Sequence, residues 1–155
     1  MNRCQWLLLI TCALSLYGVG NIWPVQLSSY RLWAYVGPRE FRAYHLAWWH
    51  SIWGVILAPA ALVFVCAVLM MWWRAPGVPA WAAWVGLALQ LGLVGGTALW
   101  WGPLMAGLEE PDGGLALDRF HLLLATHWLR VAIVTAYGLL TLWMLARSAW
   151  LGRGT

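Results

Sequence analysis

Four long runs of apolar residues dominate the chain, and short polar segments separate them. The runs cover roughly residues 5–23, 46–73, 80–104 and 121–146. A helix needs about 20 mostly apolar residues to cross the hydrocarbon core of a bilayer, and each run is close to that length or longer. The pattern predicts an all-α fold, an integral membrane four-helix bundle that forms a single transmembrane domain over residues 1–155.

The segments between these runs differ in length. "RAPGVP", residues 74–79, predicts a tight turn, whereas about residues 24–45 and 105–120 are expected to form longer connections. Pro59 lies inside the second run. Because proline removes one backbone hydrogen bond, we expect a kink in that helix, which neighbouring helices can tolerate in a membrane.

Composition points to the same class of protein. Hydrophobic residues make up 63% of the chain and charged residues 9%, whereas about a quarter of the residues of a soluble domain are charged. The excess apolar surface must face lipid or other subunits, so the lipid bilayer is the first expected partner. The net charge of +4 is scattered and forms no basic stripe, which excludes a nucleic-acid-binding surface.

Tryptophans are frequent at the ends of the apolar runs. Indole rings favour the headgroup level of a membrane, so we interpret these side chains first as interface anchors, and as ligand-stacking groups only in a minority. The residues concerned are Trp23, Trp48, Trp49, Trp72, Trp73, Trp81, Trp100, Trp101 and Trp150.

Charges are distributed unequally between the two sides of the predicted bundle. Four spans place both termini on one side, which carries Arg3, Arg74, Arg147 and Arg153 and no acidic residue. All five acidic residues fall on the other side, which also carries four arginines, Arg31, Arg39, Arg42 and Arg119. The arginine counts tie, so the orientation depends on Arg3, Arg74 and Arg147 being adjacent to spans. Arginines next to spans favour the cytoplasm. This predicts cytoplasmic termini and a location in a bacterial inner membrane.

The four histidines all belong to the acid-bearing half of the molecule. With a rise of about 1.5 Å per residue, His50 and His127 are expected at similar depth in spans two and four, each deeper than the other histidine of its helix. The two histidines of one helix point in different directions, so a shared site would need one from each. His50, His127 and Glu109 are the candidate ligands of a single metal ion, although an acidic loop can equally be only solvated.

Arg130 lies about three turns into the fourth apolar run. A charge at that depth costs about 2.5 kcal/mol or more, so it normally faces the bundle interior or a wet cavity. The alternative is that the side chain reaches out to the headgroups. Together with His50 and His127 it is the candidate catalytic group. The candidate substrate-binding residues are Trp49, Gln90, Thr97, Trp101 and Tyr137.

Two segments, "FRAYHLAWWHSIWGVILAPAAL" and "LLATHWLRVAIVTAYGLLTLWML", together with "WWGPL", resemble the anthrone-oxygenase-like small four-span membrane proteins. The resemblance implies a compact four-helix bundle with a polar pocket at one end. For the fungal members it implies oxygenation of a polycyclic phenol, either without a cofactor or with a metal. Of site residues it implies only that "THWLR", in span four, belongs to the pocket.

Three functions compete. The first is a membrane-embedded redox enzyme or oxygenase acting on a hydrophobic aromatic or quinone-like small molecule, with a metal ion or no cofactor. The second is a haem protein, with His50 paired to His127 or His45 to His121, although neither helix carries two histidines on one face. The third is a structural or accessory subunit of a larger membrane complex, which the tryptophans and glycine-rich helix faces fit equally well.

Overall fold

The computed structural model describes residues 2–151, with side chains as far as residue 149. Four long helices account for most of it: α1 (Arg3–Tyr35), α2 (Phe41–Leu69), α3 (Ala80–Ala106) and α4 (Leu117–Leu151). Each is long and apolar enough to cross a membrane. No strand occurs in the described part of the chain. The predicted all-α class and four-helix membrane architecture are confirmed.

Helix α1 extends well beyond the predicted end of the first span. The stretch from Pro24 to Tyr35, which we expected in a connection, is helical and contains a π-helical segment, Val25–Ser29. Its polar residues lower the hydropathy of the segment. One of them, Gln26, is nevertheless buried together with Tyr30 and Trp33. The helix continues because its inner face packs against the bundle.

Prolines accompany all three π-helical segments that the structure describes. Pro24 directly precedes Val25–Ser29, Trp53–Leu57 ends just before Pro59, and Thr97–Trp101 ends just before Pro103. A proline cannot donate the backbone hydrogen bond of a regular helix, and widening the turn is one way to accommodate this. Before Pro59 the structure has a π-helical turn within an otherwise continuous helix, and the kink stays a prediction.

Apolar packing is concentrated towards the two ends of the bundle. At the acid-bearing end, an aromatic cluster is built around Tyr30, Trp33, Phe41 and Trp101. The opposite end is closed by smaller residues from α1, α3, α4 and the α2–α3 turn, namely Leu8, Met70, Ala75, Ala82 and Met144. A smaller group, Val63, Ala67 and Tyr137, lies apart from both. Less tightly packed space is left between the helices.

The connection between α3 and α4 is a compact loop rather than an open one. Its ends pair through an isolated bridge between Glu109 and Leu115, and Glu110 donates its amide to the Gly114 carbonyl at 2.8 Å. Gly113 has φ of 90°, a conformation that favours glycine. This turn holds Glu109 against α2.

Most predicted interface tryptophans are exposed, but three are not. Trp48 and Trp49 are half-buried, and Trp101 is only 3% exposed. These three rings lie on inward faces of α2 and α3. Their positions therefore do not fit the predicted role as anchors at the membrane interface. The side chain of Trp150 and the whole of Arg153 lie outside the described residues.

Candidate functional site

A chamber of about 150 Å³ lies between the four helices. Its walls are mainly apolar, and every helix contributes to them. The polar side chains that line it are Ser15, Tyr17, Asn21, Tyr30, Gln90, Thr97, His127, Arg130 and Tyr137. Four of the five predicted substrate-binding residues therefore face the same space, since Trp49 also lines it. The fifth, Trp101, lies immediately beside it under Arg130.

Arg130 points into the bundle. Its Nη2 atom donates to the Thr97 hydroxyl at 2.9 Å, and its Cζ atom lies 4.7 Å from the centroid of the Trp101 ring. Thr97 and Trp101 are the first and last residues of the π-helical segment of α3. That segment thus brings a hydroxyl and an aromatic face to the same guanidinium. The cation is held by neutral groups, because the Tyr30 side chain is its other polar neighbour.

A glycine makes room for the ring under Arg130. A Cβ atom on Gly96 would lie 2.5 Å from Cζ3 of Trp101, closer than packed carbon atoms come. The ring can occupy its position only because residue 96 carries no side chain. Gly96 therefore belongs to the support of the site, although it contributes no polar atom.

No carboxylate compensates the charge of Arg130 within the described part of the chain. The two ion pairs found there both use Glu109, which contacts His45 and Arg42. Gln90 and Tyr137, two of the candidate substrate-binding residues, line the chamber without a described hydrogen bond to Arg130. The Tyr137 hydroxyl is buried and has no protein partner among these residues.

His127 is fully buried and is held by a residue that sequence reasoning missed. Its Nδ1 atom lies 2.7 Å from Oε1 of Gln26, and the Gln26 amide donates to the Leu124 carbonyl at 3.1 Å. The Tyr30 ring packs edge-on against the imidazole, with 4.8 Å between centroids. The only sequence signal for Gln26 is a helical continuation of α1 past Pro24, which would turn it inward.

His50 is not brought to the chamber. It is exposed on the surface of α2 and does not line the cavity, whereas His127 does. The imidazoles of His50 and His127 were expected at the same depth. They point in different directions, since His50 faces outward and His127 faces the interior of the bundle. The buried histidine of α2 is instead His45, which is 2% exposed. Its Nδ1 atom lies 3.0 Å from Oε1 of Glu109.

The candidate metal ligands do not converge. Glu109 pairs with His45 in the loop region, His127 lines the chamber and His50 lies on the surface. Across residues 2–151, no three His, Cys, Asp or Glu side chains are close enough to hold one ion. The haem pairings are no better placed, because His121 is exposed like His50, so each pair would join one buried ring to one exposed ring.

Comparison of the chain with protein-family models, with curated proteins and with solved structures found no match. The resemblance to anthrone-oxygenase-like proteins thus gains no support, and no residue role is taken from it.

Proposed function

We propose that this membrane protein binds a hydrophobic aromatic or quinone-like molecule in the chamber and acts on it as a redox enzyme. The observation that carries the proposal is Arg130. It is a permanent cation inside a membrane-spanning helix, it lines the chamber, and no carboxylate among the described residues pairs with it. Charges in such positions usually serve a ligand, a pathway or a relay.

The protein satisfies Arg130 only in part. One of its nitrogens donates to Thr97, while its Nε atom is buried without a protein acceptor in the described structure. A buried donor that lacks an acceptor costs about 1–3 kcal/mol, and more when it is charged. The oxygen of a ligand, carrying a full or partial negative charge, would supply the missing acceptor. Arg130 is therefore suited to bind a carbonyl, phenolate or similar oxygen.

The size and polarity of the chamber favour a ring with a polar head. An apolar protein cavity of about 150 Å³ accommodates a benzene-sized molecule, and the chamber has this volume. Tyr17 and Val55 line the chamber and are each about half exposed on the outside of the bundle. A hydrocarbon tail could leave between α1 and α2 into lipid.

His127 and Arg130 are the groups suited to chemistry. The imidazole of His127 can accept or return a proton, and a fixed guanidinium in a site that excludes water stabilises negative charge developing on oxygen. Trp49, Gln90, Thr97, Trp101 and Tyr137 would position the ring. The role first assigned to His50 is not part of this proposal, since His50 lies outside the chamber.

The test is a binding measurement on purified protein in lipid nanodiscs. Decyl-benzoquinone and its quinol, kept anaerobic, are titrated against the native protein, Arg130→Met and Arg147→Met. Arg147 is a matched control. It is also an α4 arginine that stacks on a tryptophan, but it donates to the Gly77 carbonyl outside the chamber.

Loss of Arg130 should weaken binding about ten- to hundredfold, because a hydrogen bond to a charged group is removed. Arg147→Met should bind like the native protein. Absence of binding, or equal binding by all three proteins, would reject the proposal. Stable co-purification with other membrane proteins, in the same preparation, would then favour the accessory-subunit alternative.

We also infer that both termini face the cytoplasm of a bacterial cell. Arg3 begins α1, Arg74 lies in the turn between α2 and α3, and Arg147 lies near the end of α4, so all three mark one end of the bundle. Arginines close to span ends favour the cytoplasmic side. The chamber would then lie nearer the opposite face, where α4 begins.

A further inference from the structure

A chain of two hydrogen bonds fixes the orientation of the Gln26 amide. Its Nε2 atom lies 3.1 Å from the Leu124 carbonyl oxygen, which can only accept a hydrogen bond. The amide nitrogen must therefore face Leu124, because the opposite orientation would bring two acceptor oxygens together. As a result, the Gln26 carbonyl oxygen faces Nδ1 of His127, at 2.7 Å.

This orientation decides which nitrogen of His127 carries the proton. The Gln26 oxygen has no hydrogen to donate, so Nδ1 of His127 must be the donor. Arg130 lies one helical turn further along α4, and a second cation beside it would be repelled. In the neutral ring with its proton on Nδ1, Nε2 holds the lone pair and can only accept. Nε2 is buried and has no partner among the described residues.

The chamber therefore offers two complementary groups from the same face of α4. Arg130 can only donate, whereas His127, with its proton on Nδ1, can only accept through Nε2. A carbonyl oxygen or an ether can satisfy Arg130 but offers no hydrogen to His127. A hydroxyl group that reached both side chains would satisfy both, because its O–H would donate to Nε2 and its oxygen would accept from the guanidinium.

We propose that the site selects the hydroxyl-bearing, reduced form of its ligand over the oxidised, carbonyl form, and that Gln26 is the positioning residue that sets this preference. This inference rests on the proposed function, since it names the form of the ligand that the same chamber binds. It assigns Gln26 a role in specificity, because its amide holds the His127 ring in the accepting tautomer. No proton or electron transfer is required for the selection itself.

The sharpest test uses two probes that share a ring, a tail and an accepting oxygen, and that differ in whether this oxygen carries a hydrogen or a methyl group. 4-Nonylphenol and 4-nonylanisole both carry an oxygen that accepts, but only the phenol donates. In nanodiscs we expect the phenol to bind the native protein at least about tenfold more tightly than the anisole, because a polar site discriminates strongly against an analogue that leaves a buried group unpaired. Decyl-benzoquinol should likewise bind more tightly than decyl-benzoquinone. Both preferences should shrink in Gln26→Leu.

A second readout reports the tautomer directly. In protein labelled with ¹⁵N-histidine, nuclear magnetic resonance should show the His127 proton on Nδ1, with the signal assigned by its loss in His127→Phe. Gln26→Leu should give a mixture of tautomers. A proton on Nε2 in the native protein would overturn the inference even if Gln26→Leu did not fold.

The outcomes separate the two proposals. If phenol, anisole, quinol and quinone bind with equal affinity, and Arg130→Met weakens all of them, the selection is disproved while the proposed binding function stands. If none of the four binds, or if Arg130→Met changes nothing, the proposed function fails and this inference falls with it.

Discussion

Arg130 donates a hydrogen bond of 2.9 Å to the Thr97 hydroxyl across the contact between α4 and α3. A membrane-spanning cation is thus held by a neutral oxygen on the neighbouring helix. The bond both aligns the guanidinium along the chamber wall and links the two helices at the π-helical segment of α3. Each of these consequences can be tested by removing the hydroxyl.

Thr97→Val should lower the free energy of unfolding by about 1–3 kcal/mol, since a hydrogen bond to a charged donor is lost while the side-chain shape is kept. The measurement is a denaturation curve of purified protein in mixed micelles. Thr126→Val is the control, because the Thr126 hydroxyl donates only to carbonyls of its own helix, those of Leu122 and Leu123. Equal stability of the two variants would show that the Arg130–Thr97 bond contributes little.

Gly96→Ala should weaken ligand binding by displacing Trp101. The added Cβ would lie 2.5 Å from the indole, so the ring has to move away from the guanidinium, and a cation–π contact is worth about 0.5–2 kcal/mol. Quinol affinity in nanodiscs is the measurement. Gly95→Ala makes the same exchange on the same helix, but its Cβ meets no atom within 4 Å. A similar affinity in both variants would contradict the proposed support by Gly96.

The inward orientation of Arg130 and of several polar residues could be inferred from the sequence, because the physical rule behind it depends only on the residues of the same helix. A cation deep in an apolar helix is costly, and Arg130 accordingly faces the chamber. The polar positions Gln90, Thr97 and Tyr137 line that chamber as expected. In each case a polar side chain in an apolar helix faces the interior of the bundle and so avoids contact with lipid.

The orientation of the histidines could not be inferred in the same way. Depth along a helix can be counted, but the direction in which a side chain points depends on the helix rotation, which neighbouring helices set. His45 and His50 lie on the same helix but face different ways, and the structure buries His45 against Glu109 while His50 stays outside. Gln26 was missed for a related reason. Its segment was expected to be part of a connection, whereas the structure continues the helix and buries Gln26.

The His45–Glu109 pair is expected to hold the α3–α4 loop on α2. In Glu109→Ala, the buried His45 ring would lose its only described hydrogen-bond partner. This should lower the free energy of unfolding by about 1–3 kcal/mol. Arg42 contributes little because its side chain is 72% exposed. Hydrogen–deuterium exchange should accelerate at the amides of residues 107–116. Glu110→Ala, at an exposed neighbouring position, is the control, and identical exchange in the two variants would refute the anchoring role.

In the described part of the chain, a single hydrogen bond crosses the chamber wall between α1 and α2, from the Tyr17 hydroxyl to the Val55 carbonyl at 3.0 Å. Pro59, four residues after Val55, has no N–H to donate to that carbonyl, which leaves it free for Tyr17. Both residues line the chamber and are also exposed on the outside of the bundle. The bond therefore lies where a ligand would pass between lipid and chamber.

Tyr17→Phe should speed up both binding and release of the quinol, about two- to tenfold each, with little change in Kd. A neutral hydrogen bond contributes about 0.5–1.5 kcal/mol, and here it stabilises the closed wall in the free and the bound protein alike. Stopped-flow tryptophan fluorescence measures both rates. Tyr44→Phe is a matched control, since Tyr44 is a similarly exposed tyrosine on α2 that does not line the chamber. If Tyr17→Phe instead raises Kd and leaves the association rate unchanged, Tyr17 contacts the ligand and does not close the wall.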